Sequence, residues 1–547
     1  MKLRTSPIAR VILNGTLIFS VLCGARAGAA TDEPATREMQ EKIDLLLNQV
    51  QELKRRLDRQ TEAQRETDAR AEAAAAHAVS EKIEALPLSP QDPSQVPSAL
   101  NGDPAGPKSI RYKGVSVTLG GFLAAESVWR QHDQANDIST SFAAIPYANS
   151  SVGHTQELRF TARQSRISAL VQGDVNPETH LGFYSELDFQ GGAQTANSNE
   201  TNSYNPRLRH MYGSADWDAL GLHLLAGQTW SLVTLNSQGI TPRNEVPPPS
   251  IDGQYIPGFT WTRQPQIRLT KDFDKTVWAA VSLENPQTTF FTGANPLPST
   301  VHLTFNTPAG QGFDSANTLS LNHIPDVVGK IAYEPVIADR KVHLEAYYLY
   351  RSFYERLNFN NQNTSGGGGG GGLTVQLIPK VLDFQVSGLA GKGIGRYGSA
   401  QLTDVTLDPA GNIRPIHELE ALAGLTLHLT PKFDYYVFFG EEKESAESFN
   451  LQTATGVTPY GYGNPLYQNG GCFSEVPTSP TTACIGNTRL IKQGTTGFWF
   501  KPYNGPFGRF QYGLQYSYTQ RRSFDGLGGS ALGDQNIVLA SMRYYPF

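Results

Sequence analysis

Residues 509–521 read RFQYGLQYSYTQR, and they decide the fold. Phe510, Tyr512, Leu514, Tyr516 and Tyr518 fall on one side of an extended chain. Arg509, Gln511, Gly513, Gln515, Ser517 and Thr519 fall on the other. Side chains of a strand alternate between its two faces, so a period of two means one apolar and one polar face. The pattern recurs upstream. Val115, Val117, Leu119, Leu123 and Ala125 oppose Ser116, Thr118, Gly120 and Glu126; Leu181, Phe183, Leu187 and Phe189 oppose Tyr184, Glu186 and Asp188. Val342, Leu344, Ala346, Tyr348 and Tyr350 oppose His343, Glu345 and Arg351.

Two kinds of connection separate these runs. Seven are short, such as Gly173-Asp174-Val175-Asn176-Pro177, Lys271-Asp272-Phe273-Asp274, Ala338-Asp339-Arg340, Thr430-Pro431-Lys432 and Tyr503-Asn504-Gly505-Pro506, with vaguer turns near 215–220 and 379–383. Eight are long and polar, near 131–157, 191–206, 232–262, 287–325, 360–372, 397–415, 446–488 and 524–535. Seven turns and eight loops imply sixteen strands. Dyad strands with short turns on one side and long loops on the other are the layout of a bacterial outer-membrane barrel. Lipid cannot satisfy an open sheet edge, so the sheet must close. The expected fold is an all-β, 16-stranded antiparallel transmembrane β-barrel with a short N-terminal coiled-coil helix. A soluble β-sandwich or β-solenoid also alternates, but the loop asymmetry and the aromatic chain end argue against it. At that end Ile537, Leu539, Tyr545 and Phe547 share one parity, read as the lipid face, with Arg543 as a departure. Gly366 to Gly372 is expected to form a flexible loop tip.

Composition agrees. The 547 residues carry 53 Gly, 23 Tyr and 26 Phe but only 17% charged residues, against about 25% in an ordinary soluble domain. With a net charge of −5 there is no basic excess of the kind nucleic-acid binding needs.

Upstream of the barrel at 108–547, three segments are expected. Residues 1–29 have a basic start (Lys2, Arg4, Arg10), an apolar run from Val11 to Leu22 and Ala25-Arg26-Ala27-Gly28-Ala29, a signal peptide. Its removal takes four positive charges and moves the net charge from −5 to −9. Residues 30–86 are expected to be helical. Ile43, Leu46, Val50, Leu53 and Leu57 step by three and four, a coiled-coil seam and hence self-association. Residues 87–107 hold six prolines and read as an extended linker.

Export leaves Cys472 and Cys484 as the remaining cysteines, read as one loop-closing disulfide. No metal spacing and no catalytic constellation stands out, so no metal, cofactor or enzyme activity is expected.

The order of segments, with the phrases Ala162-Arg163-Gln164-Ser165-Arg166, Arg207-Leu208-Arg209-His210 and Gly227-Gln228-Thr229-Trp230-Ser231, resembles the DcaP-like trimeric outer-membrane porins of Gram-negative bacteria. The resemblance implies a homotrimer, a periplasmic coiled coil, an inward-folded third loop and passage of small anionic solutes such as dicarboxylates. Contacts with the lipid bilayer and lipopolysaccharide go with that placement.

Between Gly114 and Thr270 there is no Lys, but there are nine Arg. Arginine offers a planar fork that matches a carboxylate or phosphate. Rings of Arg favour anions in pores. Opposite the apolar Ile167, Ala169 and Val171, Arg166 faces the lumen; opposite Ile267 and Leu269, so does Arg268. Arg207 and Arg209 share the face opposite Leu208, and Arg243 lies in the third loop. Arg166, Arg207, Arg209, Arg243 and Arg268 are therefore the candidate selectivity residues. Each has a plainer role available, balancing a luminal acid such as Glu186 or Asp188. Arg163 has the wrong parity unless a bulge intervenes. The function read from this is a diffusion porin for small hydrophilic solutes that favours anions. Alternatives are a sugar-selective porin, with Tyr184, Glu186 and Tyr347 in an aromatic rail, or an outer-membrane protein whose loops serve adhesion or a structural role.

Overall fold

A computed structural model of the chain describes residues 51–52, 109–191, 204–304, 322–454, 456–476 and 483–547. The chain divides into two units, Met1–Val96 and Pro97–Phe547. In the first, Gln51 and Glu52 are helical and exposed. The seam residues, the leader and the linker lie outside the described residues.

The second unit is a closed barrel of sixteen antiparallel strands. They are β1 (Val115–Arg130), β2 (Glu157–Thr161 continued by Arg166–Asn176), β3 (Thr179–Asp188), β4 (Arg207–Trp217), β5 (Leu222–Trp230) and β6 (Arg263–Phe273). Next come β7 (Val277–Glu284), β8 (Asp326–Tyr333), β9 (Arg340–Leu357), β10 (Asn360–Ile378) and β11 (Leu382–Lys392). The last five are β12 (His417–Thr430), β13 (Phe433–Glu444), β14 (Thr488–Gly505), β15 (Gly508–Ser523) and β16 (Leu532–Tyr545). Each strand pairs with the next. β16 returns to β1, Leu123 opposite Tyr544 through to Arg130 opposite Ile537, which leaves no free edge. Among the described residues no helix is long and apolar enough to cross a membrane.

The outward face carries large apolar side chains in the open: Ile167 is 58% exposed, Ile331 61% and Tyr348 61%. A soluble protein does not show a continuous apolar belt of this kind, whereas a barrel wall in lipid must. The inward faces are polar and buried, because the loops fold into the lumen and cover them.

Two expectations fail. Residues 360–372 are not a loop. β9 and β10 run as one long hairpin through the two-residue turn Asn358-Phe359, both at positive φ (46° and 66°). The glycine run Gly366–Gly372 sits in the middle of β10, paired with β9 throughout and with β11 from Gly367 onward. Glycine has no parity to read, which is why the run looked like a loop tip. Its use is close approach: a Cβ on Gly370 would lie 2.6 Å from the Tyr347 ring, and one on Gly372 2.5 Å from Leu235 Cδ1 of the third loop. Gly370→Leu is expected to jam Tyr347 and prevent closure. Overpacking costs about 1–3 kcal/mol even in tolerant cores. The compact, heat-resistant form on an SDS gel should vanish; a normal folded band would show that the close approach is unimportant.

The second failure is the parity of the last strand. Ile537 and Leu539 are fully buried and face inward, while Met542 is 52% exposed and faces out. Arg543 is thus luminal, its Nη2 donating to Glu126 Oε1 at 2.9 Å. The two apolar residues point inward because the third loop packs there. Ile251, Tyr255, Ile256 and Phe259 form one cluster with Val128, Leu422, Tyr436, Phe438, Trp499, Ile537 and Leu539. Each fully buried side chain of this size contributes about 1.5–3 kcal/mol.

Candidate permeation site

The third loop, residues 231–262, crosses the lumen. At its root, Ser231 and Leu232 bond to Glu284 of β7 through the Ser231 hydroxyl (2.6 Å) and the Leu232 N–H (2.8 Å). Further along, Lys330 of β8 donates to the Thr234 carbonyl at 2.8 Å, and the Asn236 N–H donates to Glu345 of β9 at 3.1 Å. The Trp499 indole of β14 donates to the Pro249 carbonyl at 2.8 Å, and the Ile251 N–H donates to Gln515 of β15 at 2.5 Å. The Gly258 N–H reaches Glu442 of β13 at 2.7 Å. A segment anchored to β7, β8, β9, β13, β14 and β15 cannot lie outside the barrel. It narrows the bore.

On β2–β6 the arginines meet this loop. Arg166 projects inward over the Phe122 ring, 5.2 Å from its centroid, with Glu186 at a loose 3.9 Å. Arg207 and Arg209 both face inward because a bulge opposite Glu186 and Leu187 shifts the register of β4. Both are engaged. Arg207 forks onto the two Asp188 oxygens at 3.0 and 2.7 Å. Arg209 reaches Glu186 at 2.5 Å and Asp188 at 3.2 Å. Arg268 is buried and holds the root of the third loop, donating to the Trp230 carbonyl at 2.7 Å and Gln266 at 3.1 Å. Arg243 stands in the loop at φ 72°, its guanidinium 5.8 Å from the Tyr184 ring. β2 breaks at 162–165, and Arg163 turns to the Phe189 and Gly191 carbonyls and to Asp137.

Parity alone did not single out Arg263. It stands at the start of β6, 4.5 Å from the Trp230 ring and 5.7 Å from Trp261, without a carboxylate partner among the described residues, and its Nη1 donates no hydrogen bond to any of them. Among the described residues Arg243 and Arg263 thus have no ion-paired carboxylate and Arg166 only the loose Glu186, while Arg268 spends its donors on the root of the third loop. The missed signal was the flanking of Arg263 by Trp261, two residues before it, and by Trp230, its register partner across the β5–β6 pair.

β12 and β13, on another part of the wall, carry acids. Glu418 and Glu420 of β12 lie opposite Glu444 and Glu442 of β13. Glu442 accepts from the N–H groups of Gly258 and Ala400, and Glu444 accepts from the Thr403 N–H and the Tyr462 O–H. Among the described residues neither carboxylate oxygen of Glu418 or Glu420 has a hydrogen-bond partner. The lumen is therefore polarised, with guanidiniums on β2–β6 and carboxylates on β12–β13.

In the loop itself, burial pushes the Glu245 and Asp252 carboxyls above the usual carboxylate range, although nearby arginines pull the other way. Tyr184 donates to Glu186 at 3.0 Å on β3, while Tyr347 lies on β9 and donates to the Gly388 carbonyl at 3.1 Å. The structure does not bring these two into one rail. Cys472 and Cys484 form a disulfide, Cα–Cα 4.7 Å, in the seventh loop. Among the described residues no cluster of His, Cys, Asp and Glu is arranged to hold a metal.

No family model matches the sequence. No curated protein matches it either. Among solved structures, the outer-membrane channel DcaP of Acinetobacter baumannii superposes with a TM-score of 0.55 at 17% identity, covering 80% of this chain and 99% of that one. OprB of Pseudomonas putida gives 0.43 at 9% identity over 78% and 94%. An anion-selective porin from Comamonas acidovorans gives 0.41 at 11% over 79% and 99%. The first of these shares the barrel fold with this chain; the other two are looser likenesses.

Proposed function

We propose that the protein is a diffusion porin of a bacterial outer membrane that passes small hydrophilic solutes and favours anions, dicarboxylates among them. The observation that carries this reading is the trio Arg166, Arg243 and Arg263: among the described residues Arg243 and Arg263 have no ion-paired carboxylate, and Arg166 has only Glu186 at a loose 3.9 Å. In pores, rings of cationic side chains favour anions. The likeness to a barrel described as an outer-membrane channel supports the setting, and the apolar outward belt supports a lipid surround. The sugar reading is weaker, because its proposed aromatic rail is split between β3 and β9. The adhesion reading does not explain a loop spent inside the barrel.

Liposome swelling tests the proposal. Vesicles carrying the folded protein should admit succinate faster than a neutral solute of equal size, and a diamine of equal length slowest. Equal rates for all three would remove the anion preference while keeping a pore. No swelling with any solute would remove the pore.

A further inference from the structure

Tyr255 is held where the arginine wall is most concentrated. It lies in the third loop, 7% exposed, at φ 67°, the left-handed region that L residues other than Gly, Asn and Asp rarely adopt. Such a conformation costs about 1–2 kcal/mol and persists only where the surroundings hold it. Here the Tyr255 N–H bonds to the Asp252 carbonyl at 3.0 Å, and the ring packs on Phe259 (5.0 Å between centroids) and Trp230 (6.0 Å). The effect of this bend is to aim the phenol at β4. Arg209 Nη2 lies 3.5 Å from the hydroxyl.

We infer that Tyr255 is a built-in counter-group of the arginine wall, a phenol set against the guanidiniums that a permeating anion would meet, so that its charge sets the strength of anion selection. The inference rests on the anion-favouring reading of that wall. A phenol hydroxyl and a carboxylate oxygen both accept a bond from a guanidinium, so the two compete for the same donors. Neutral, the phenol leaves the positive potential of the wall intact. As phenolate it cancels about one charge.

The groups facing it fix the sign. β4 contributes Arg209 and His210, β2 Arg166, and β6 Arg263; β3 contributes Glu186 and Asp188, both already bonded to Arg209. In its own loop the acids are Glu245 and Asp252, the latter taking the Tyr255 N–H on its backbone carbonyl. The apolar cluster that holds Tyr255 also contains the Tyr436 phenol of β13. Burial alone would push the Tyr255 phenol up; the guanidiniums of Arg209, Arg166 and Arg263 outweigh it and hold it down to about 7. The phenolate therefore forms as pH rises through neutrality, and anion preference falls with it.

Two measurements on the whole protein and on Tyr255→Phe test this. The first is tyrosinate absorbance in the near ultraviolet. One tyrosine should ionise near neutral pH in the unsubstituted barrel and none in Y255F, since an ordinary phenol waits until about pH 10. The second is the zero-current potential across a planar bilayer in a salt gradient. Between about pH 6 and about pH 9 the unsubstituted channel should lose anion preference, and Y255F should keep it. Absence of the early absorbance step overturns the inference, as does an equal pH slope in the two channels. If the step is present but the channel shows no anion preference even at low pH, the reading of the arginine wall has failed, and the inference falls with it.

Discussion

Gly258→Val releases the third loop and raises the single-channel conductance. Gly258 sits at φ 84°, and its backbone lies so close to the Ala421 carbonyl that no Cβ fits. Its N–H is also one of the donors that satisfy buried Glu442. Left-handed backbone at a β-branched residue costs about 1–2 kcal/mol, and loss of a buried hydrogen bond about 1–3 kcal/mol more. At 1.4 kcal/mol per tenfold, these terms shift the docked–undocked balance of the loop by roughly thirtyfold to several thousandfold. Glu442→Ala should act in the same direction, because it orphans the N–H groups of both Gly258 and Ala400. The barrel should survive both changes, since neither removes a ladder hydrogen bond and withdrawal of the loop relieves the clash with the Ala421 carbonyl. The check is single-channel current together with the heat-modifiable gel band. Unchanged conductance in a folded barrel would mean that the loop does not narrow the bore.

The second large effect is on charge. Replacing Arg166, Arg243 and Arg263 together by glutamine should abolish anion preference while leaving a conducting pore. A guanidinium about 4 Å from a permeating anion is worth about 1 kcal/mol in bulk water and about 4 kcal/mol at an effective dielectric of 20. Even the lower figure is about fivefold in relative permeability per arginine. Glutamine keeps length and polarity, so the loss reads charge rather than shape. Arg207 and Arg209 are poor choices for this test. Removing Arg207 takes the forked partner from Asp188, and removing Arg209 takes the close cation from Glu186; loss of one partner of a buried pair costs about 3–5 kcal/mol in stability. Anion preference that survives the triple change would move selectivity elsewhere.

The barrel was legible because lipid and lumen impose a period of two on every strand, and RFQYGLQYSYTQR shows it without interruption. Strand number was legible because long and short connections alternate. What defeated the sequence reading was anything decided by the loops once they had folded inward. Ile537 and Leu539 look like lipid-facing residues until the third loop supplies an apolar partner inside. Gly366–Gly372 looks like a loop because its neighbours across β9 and β11 are invisible in the linear chain. His180, His223, His343 and His428 seem scattered, yet each sits between two carboxylates contributed by neighbouring strands or turns. The same holds at the arginine wall. The inward direction of Arg166 follows from Ile167 and Ala169, but the distinction between paired Arg209 and unpaired Arg263 depends on cross-strand acids and on Trp230 and Trp261.

The zero-current potential of the unsubstituted channel in a potassium chloride gradient at mildly acidic pH tests the central claim most directly. An anion-favouring potential that collapses in the Arg166, Arg243 and Arg263 triple variant is the result this account requires. A cation-favouring potential, or one the triple variant leaves unchanged, would contradict it.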